Sequence, residues 1–241
     1  MAKIALITGS NKGIGYEVLR QLGKAGCHVI LASRNTELGE RAVKKLKEED
    51  GVTAFFTKLD LTDQASIDAS AKRIDQLFGK LDVLVNNAAI VVRGEDGLPS
   101  KTTANALQQA METNFIGTFR VTLAMLPLLR KAQSASIVNV SSGLASLELS
   151  SSNHLPAEHR RLGYSASKTA LNMLTCHLAF ELREENISVN SADPGYTATD
   201  LTDYEGTQSV AEAAVGVVRL ALQDKSGPTG RFINQFAKVA W

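Results

Sequence analysis

Tyr164 and Lys168 stand four positions apart in "YSASK", a spacing that on a helix puts them on one face about one turn from each other. A tyrosine normally titrates near pH 10, and an ammonium held close by favours the phenolate and lowers that value. Such a pair suits proton exchange with an alcohol or carbonyl oxygen. Ser142, at the end of "VNVSS", is placed to offer a hydroxyl to the same oxygen. Alone, Y-x-x-x-K is a common pattern on solvated helices, so its meaning depends on what else the chain carries.

The stretch "TGSNKGIG", Thr8 to Gly15, follows a short apolar run and opens a helix-like segment. Glycines there permit a tight turn and let backbone N–H groups approach phosphates, helped by the positive end of the helix. The spacing is G-x-x-x-G-x-G, with Gly9, Gly13 and Gly15 as the glycines and Asn11, Lys12 and Ile14 between them. After a buried strand this spacing is expected to cradle the pyrophosphate of a dinucleotide, the alternative being a tight turn and nothing more. The next apolar run bears on which dinucleotide. An NAD site wants an acidic residue near its end, to hold the ribose 2′-hydroxyl. Here the run ends "LASRN", with Arg34 and no Asp or Glu before Glu37. A carboxylate would repel a 2′-phosphate, whereas a guanidinium holds one through paired charge-assisted hydrogen bonds. Lys12 adds a second positive charge in the adjacent loop. Together they favour NADP(H) over NAD.

The elements that must position these residues follow from composition and periodicity. The chain has 241 residues, 44% hydrophobic and 21% charged, with a formal net charge of +1. That is an ordinary globular balance, long enough for one sizeable domain, and it gives no electrostatic case for nucleic acid or an anionic membrane. The Ile4–Ile7 run is too short for a signal-peptide core, and no stretch approaches a membrane-spanning length. Cys27 and Cys176 lie far apart without metal-like partners, so no metal site is expected and both read as free thiols in a reducing compartment. The expectation is a soluble, cytoplasmic protein.

Candidate strands are "IALITG" from Ile4, "HVILAS" from His28, "TAFFTKLD" from Thr53, "DVLVNNA" from Asp82, "SIVNVSS" from Ser136, "ISVNSADP" from Ile187 and "GRFIN" from Gly230. The first, second, fourth and fifth are nearly continuous apolar runs, as strands buried on both faces are. Helical spacing runs over Gly13–Lys24, Glu37–Glu49, Asp63–Phe78, Ala104–Leu129, Tyr164–Glu184 and Ser209–Leu222. Strand and helix alternate throughout. That predicts an α/β fold of a single domain, 1–241, a Rossmann-type doubly wound parallel sheet of about seven strands with helices on both faces. One irregular, Ser-rich stretch interrupts the pattern between Gly143 and Gly163.

The motifs "NNAA" (86–89), "TNFIGT" (113–118), "VNVSS" (138–142) and "YSASK" (164–168) complete a set that resembles the short-chain dehydrogenase/reductase family, in the family's order and over nearly the whole chain. Within it the chain looks most like the NADPH-dependent carbonyl reductases, in its "NKGIG" loop, the arginine after the second strand, "TNFxGT" and a terminal Trp. The resemblance implies NADPH-dependent reduction of a ketone or aldehyde to an alcohol, a small-molecule carbonyl or alcohol serving as substrate. It implies Tyr164 as general acid/base, Lys168 on the nicotinamide ribose and tuning the tyrosine, Ser142 orienting the carbonyl and Asn114 holding the water of a proton relay. Asp60 and Leu61 would flank the adenine, Asn87 and Ala88 its ribose region, and Pro194, Gly195, Thr197 and Thr199 of "PGYTAT" the nicotinamide and phosphates. Tyr164 and Lys168 would thus touch cofactor as well as take part in catalysis.

Two departures qualify the resemblance. The family's "NNAG" is "NNAA" here, so Ala89 stands where glycine is usual. Ser142 and Tyr164 are also 22 positions apart, a longer spacing than most members have. The excess is the 143–163 stretch, an insertion loop expected at the active-site mouth, whose His154 and His159 read as ordinary loop histidines. Little chain separates "PGYTATDL" from the helix near Ser209, so an open cleft without a helical lid is expected. Family members pair through the helices starting near Ala104 and Tyr164, which suggests a homodimer or homotetramer and leaves a monomer open. Two other readings stand beside the main one: an NAD-dependent alcohol or sugar dehydrogenase, and a non-catalytic NADP-binding regulatory protein.

Overall fold

The computed structural model describes residues 2–152 and 159–241. His154 lies outside the described residues. Seven strands form one parallel sheet: β1 (Ile4–Thr8), β2 (His28–Ser33), β3 (Ala54–Lys58), β4 (Val83–Asn86), β5 (Ala135–Val140), β6 (Ile187–Ala192) and β7 (Arg231–Ile233). The order across the sheet is β3-β2-β1-β4-β5-β6-β7, every neighbouring pair parallel.

Successive side chains of a strand point to opposite faces, and here both faces are apolar. Leu6, Ile30, Leu84 and Ile137 pack into one core with Ile67, Val121, Met125 and Leu178. Their immediate neighbours Ile7, Leu31, Val85 and Val138 pack into the other with Val18, Leu22, Leu46 and Val217. The helices that cover them are α1 (Gly13–Lys24), α2 (Thr36–Asp50), α3 (Gln64–Phe78), α4 (Ala104–Ala110), α5 (Thr118–Leu129), α6 (Leu147–Ser151), α7 (Leu162–Glu181) and α8 (Val210–Leu222). Several starts are capped by the residue just ahead. Asn35 and Asp63 accept from Leu38 and Ala65 amides, and Ser209 forms a reciprocal capping box with Glu212.

From β1 the chain runs outward to β2 and β3, then returns to place β4 on the other side of β1. The order therefore reverses between β1 and β4, and the crevice at their carboxyl ends is where doubly wound sheets bind ligands. The loops leaving β1 and β4 are "TGSNKGIG" and "NAAI".

Two segments differ from their expected form. The single helix expected over Ala104–Leu129 is three pieces, α4, a π-helical turn Met111–Gly117, and α5. The insertion is not plain loop in its described part, which holds a 3-10 turn Gly143–Ala145 and α6, and α7 begins two residues before Tyr164. Among the described residues no helix is long and apolar enough to cross a membrane, and no cluster of His, Cys, Asp and Glu forms a metal site. Cys27 and Cys176 are free.

Candidate active site

The glycine loop is shaped by close approaches. Gly9 has φ +62°, and a Cβ there would lie 2.9 Å from Ala88 Cα. A Cβ on Gly15 would run into Asn87 Nδ2 and lie 2.7 Å from the Gly9 carbonyl. Side chains then fix the loop against β4. Thr8 Oγ1 accepts from the Asn87 and Ala88 amides at 3.0 and 3.1 Å, and Asn87 Nδ2 donates to the Thr8 and Gly9 carbonyls at 2.9 and 3.1 Å.

A cleft of about 820 Å³ opens above this turn. Gly9, Asn11, Lys12, Gly13, Ile14, Arg34, Asp60, Leu61, Asn87, Ala88 and Thr199 all line it, and so does Ala89. Gly15 stands behind the lining as the packing contact just described, and Pro194, Gly195 and Thr197 are not among the lining residues. Burial pushes the Asp60 carboxyl up, but the amide and hydroxyl of Thr62, with Arg34 and Lys58 nearby, outweigh it and leave the group lowered. Size, glycine backbone and paired cations all fit an extended dinucleotide.

The rim is not as open as the short 200–209 connection suggests. Asp200–Thr202 forms a 3-10 turn, followed by Asp203 and Tyr204 in left-handed conformations, φ 51° and 62°. This segment crosses to both sides of the cleft. The Lys12 ammonium pairs with the Asp200 carboxylate, which also accepts from the Tyr204 hydroxyl. From the β4 side, Arg93 donates to the Asp200 carbonyl and pairs with Asp203 at 2.5 Å.

The catalytic candidates Asn114, Ser142, Tyr164 and Lys168 are not among the residues that line this cleft; they gather about the first turns of α7. Gly163 and Tyr164 amides at the start of α7 donate to Asp96 at 2.8 and 2.9 Å, which anchors the helix end. Tyr164 is 8% exposed. Lys168 lies one turn on, its Nζ 5.8 Å from the Tyr164 ring centre and donating to the Val140 carbonyl at 2.7 Å. Asn114 sits at the centre of the π turn, where one extra residue per turn re-aims a side chain. Its Oδ1 accepts from the Ile90 amide at 2.8 Å, and its Nδ2 donates to the Ile90 carbonyl and to Ser167 Oγ at 2.9 and 3.0 Å. Ser167 in turn donates to the Tyr164 carbonyl at 2.7 Å, so Asn114 braces α7 through it.

The electrostatics of this pair differ from the expectation drawn from spacing. Burial pushes the Tyr164 phenol well up, Asp193 adds to the rise, and the Ser142 hydrogen bond acts against both. Burial likewise pushes Lys168 down to about 7. The lysine does not lower the tyrosine here because desolvation outweighs it and its ammonium is turned toward a backbone carbonyl. His159, within the 143–163 stretch, and Tyr196 meet edge to face, ring centres 5.2 Å apart. The terminal Trp241 stacks on Phe232 at 5.6 Å, and its carbonyl accepts from the Glu148 amide at 3.2 Å, which pins α6.

The profile of the short chain dehydrogenase family matches residues 3–209. The chain belongs to that family. The short-chain dehydrogenase anuI of Penicillium roqueforti is 36% identical over 226 residues, covering 91% of this chain and 88% of that one. The NADPH carbonyl reductase 1 of Sus scrofa is 33% identical, covering 99% and 94%. Among solved structures, salutaridine reductase from Papaver somniferum superposes with a TM-score of 0.83 at 30% identity, covering 95% and 99%. This dehydrogenase is thus an oxidoreductase that acts on CH–OH or C=O groups with a nicotinamide cofactor.

Four residues of the dehydrogenase's site escaped sequence reasoning. Asp96 caps α7 from 67 positions away, and Ser167 looked like a filler within "YSASK". Asp193 and Asp200 flank "PGYTAT" as ordinary loop acids until the fold turns one toward Tyr164 and the other toward Lys12.

Proposed function

We propose that this short-chain dehydrogenase uses NADPH to reduce a ketone or aldehyde, with Tyr164, Ser142, Lys168 and Asn114 as its catalytic set. The observation that carries the reading is the buried Tyr164 phenol with the Lys168 ammonium 5.8 Å from its ring centre on the same face of α7, because a tyrosine beside a cation is suited to exchange a proton with a carbonyl or alcohol oxygen. When bound, the cofactor supplies the hydride.

Tyr164 donates its proton to the substrate oxygen, and the Ser142 hydroxyl steadies the negative charge developing there. Lys168 stands where it meets the nicotinamide ribose and helps restore the tyrosine's proton. Asn114 holds α7 and the segment after β4 in register for that relay. Pro194, Gly195, Thr197 and Thr199 frame the nicotinamide end, while Asp60, Leu61, Asn87 and Ala88 frame the adenosine end.

The preference for NADPH over NADH rests on Arg34 and Lys12. Both line the cleft, and β2 is followed by Arg34 rather than by the acidic residue that would take a 2′-hydroxyl. The similarity to an NADPH carbonyl reductase points the same way. The working enzyme is cytoplasmic in this reading. Exposed Phe119 and Leu123 on α5 with Met173 and Phe180 on α7 give it an apolar face for homodimer formation.

Loss of NADPH absorbance against a panel of ketones and aldehydes tests the activity, with NADH in parallel. Tyr164→Phe lowers turnover by about 10³-fold or more while leaving NADPH binding intact. Carbonyl reduction that survives the substitution overturns the assignment.

A further inference from the structure

β5 ends at Val140, and Ser142 stands two residues on, at the head of the 3-10 turn Gly143–Ala145. That turn closes on the serine. The Leu144 amide donates to Ser142 Oγ at 3.2 Å, and the Ala145 amide donates to the Ser142 carbonyl at 2.9 Å. A hydroxyl that accepts on its oxygen keeps its hydrogen to donate, which is what a substrate oxygen needs from Ser142. Two adjacent residues of α7 then reach the main chain on either side of it. Lys168 Nζ donates to the Val140 carbonyl at 2.7 Å, and Thr169 Oγ1 donates to the Ala145 carbonyl at 2.9 Å. Thr169 Oγ1 also lies 3.0 Å from the Ser165 carbonyl, the i−4 acceptor of a helical threonine. The two acceptors are not equivalent. Inside α7 the helix ladder already gives the Ser165 carbonyl the Thr169 amide. Ala145 is 1% exposed, and among the described residues nothing else donates to its carbonyl. A buried carbonyl left unpaired is costly, so the hydroxyl hydrogen belongs to Ala145.

We propose that Thr169 is a positioning residue for carbonyl reduction, its hydroxyl fastening the Ser142 turn to the helix that carries Tyr164 and Lys168. The inference rests on the proposed catalytic set, with Ser142 as donor to the substrate oxygen and Tyr164 as its acid. Those two residues belong to different elements, so their separation is set by contacts between the turn and α7 rather than by either element alone. Lys168 makes one such contact, but its ammonium has a second task. Where it meets the nicotinamide ribose, it is shared with the Val140 carbonyl or drawn away from it. Thr169 has no other task, and its bond is the tie that lasts through turnover. The far end of the turn is held from another direction. Ser146 Oγ donates to the Trp241 carbonyl at 3.3 Å, and the Trp241 ring stacks on Phe232 of β7. That contact fixes the turn against the sheet edge and does not replace the tie to α7.

The test is the single-turnover rate of carbonyl reduction with NADPH bound, measured beside the NADPH Kd. Thr169→Val keeps the branched shape and removes the hydroxyl. Its rate falls about tenfold, because the serine donor is misplaced, while the NADPH Kd stays at the parent value. Thr169→Ser keeps the hydroxyl and restores the rate. Thr169→Ala also lacks the hydroxyl, and it carries the same reading if the valine variant does not fold. In a Ser142→Ala background the donor is already gone, so Thr169→Val costs nothing further. A valine variant as fast as the parent overturns the proposal, and so does a serine variant as slow as the valine one. A loss confined to NADPH affinity overturns it too. So does a tenfold fall that persists in the Ser142→Ala background, since Thr169 then acts on something other than Ser142. Ser142→Ala and Tyr164→Phe alone separate this failure from that of the catalytic set. If either turns over like the parent, the set is wrong; if both are slow and Thr169→Val is not, only the role of Thr169 is.

Discussion

Lys168, at the floor of the site beside Tyr164, and Lys12, at the rim of the cleft over the glycine turn, have opposite surroundings. Lys168 is 2% exposed, is turned to a backbone carbonyl, and is pushed down to about 7 by burial. The Lys12 side chain is 64% exposed and paired with the Asp200 carboxylate, itself 45% exposed. At the floor a charge is poorly solvated, so each neighbour acts on it strongly. At the rim water screens the pair, and such contacts are worth about 0–1 kcal/mol. The floor is therefore the place where a single change alters the chemistry, and the rim the place where changes adjust which cofactor enters.

Lys168→Met presses hardest on that difference. In the proposed mechanism it lowers kcat/KM by about 10²–10⁴-fold. The same substitution stabilises the fold, because a methionine suits an apolar site and an ammonium does not. The folded Lys168 titrates at about 7 against 10.5 for a free lysine, so between those values the unfolded chain binds more protons. Its cost to stability is present in full below about pH 7 and is relieved as pH rises toward 10.5. Allowing for the lost hydrogen bond to Val140, the variant gains on the order of 3 kcal/mol near neutrality. That is about 5–10 °C in Tm, fading as the pH rises. Thermal melts at neutral and alkaline pH check it, and a gain that does not depend on pH would remove burial of charge as the distinction between floor and rim.

Arg34→Asp is the next largest change. It replaces a guanidinium with the carboxylate that a ribose 2′-hydroxyl prefers. Loss of a charge-assisted hydrogen bond, about 1.5–3 kcal/mol, weakens NADPH by about 10–150-fold, and repulsion adds to it. NADH gains or stays level. The ratio of kcat/KM for the two cofactors reads the shift, and a ratio that does not fall places the 2′-phosphate elsewhere.

The sheet was legible because Leu6–Ile7, Leu31–Ala32 and Leu84–Val85 are apolar at consecutive positions, which only strands covered on both faces require. The glycine loop and the Tyr164–Lys168 spacing were legible because each is local. The π turn was not, since apolar spacing over Ala104–Leu129 reads alike whether a turn holds 3.6 residues or one more. Nor was the sense of the Tyr164 and Lys168 displacements. Spacing puts the lysine near the tyrosine, but burial depends on the layers that close over both. Asp96 and Asp200 acquire partners 67 and 188 positions away, so only the assembled topology distinguishes them from solvated loop acids.

The smallest effects separate two accounts of Lys12. If its task is to hold the 2′-phosphate, then Asp200 competes for it, and the Lys12–Asp200 ion pair must be given up when that phosphate is bound. Lys12→Ala then weakens NADPH by about three- to fivefold and leaves NADH unchanged, as the loss of one exposed charge contact of up to about 1 kcal/mol should. Asp200→Asn moves the other way and tightens NADPH by a similar factor, because the ammonium no longer has a carboxylate to leave. Both changes shrink as salt rises and the Debye length falls below about 8 Å. If Lys12 instead serves to fasten the 200–204 segment across the cleft, both substitutions loosen that strap, and both weaken NADPH and NADH alike. Cofactor titrations of the two variants at low and high salt therefore decide by sign rather than by size, which is what a contact this weak demands.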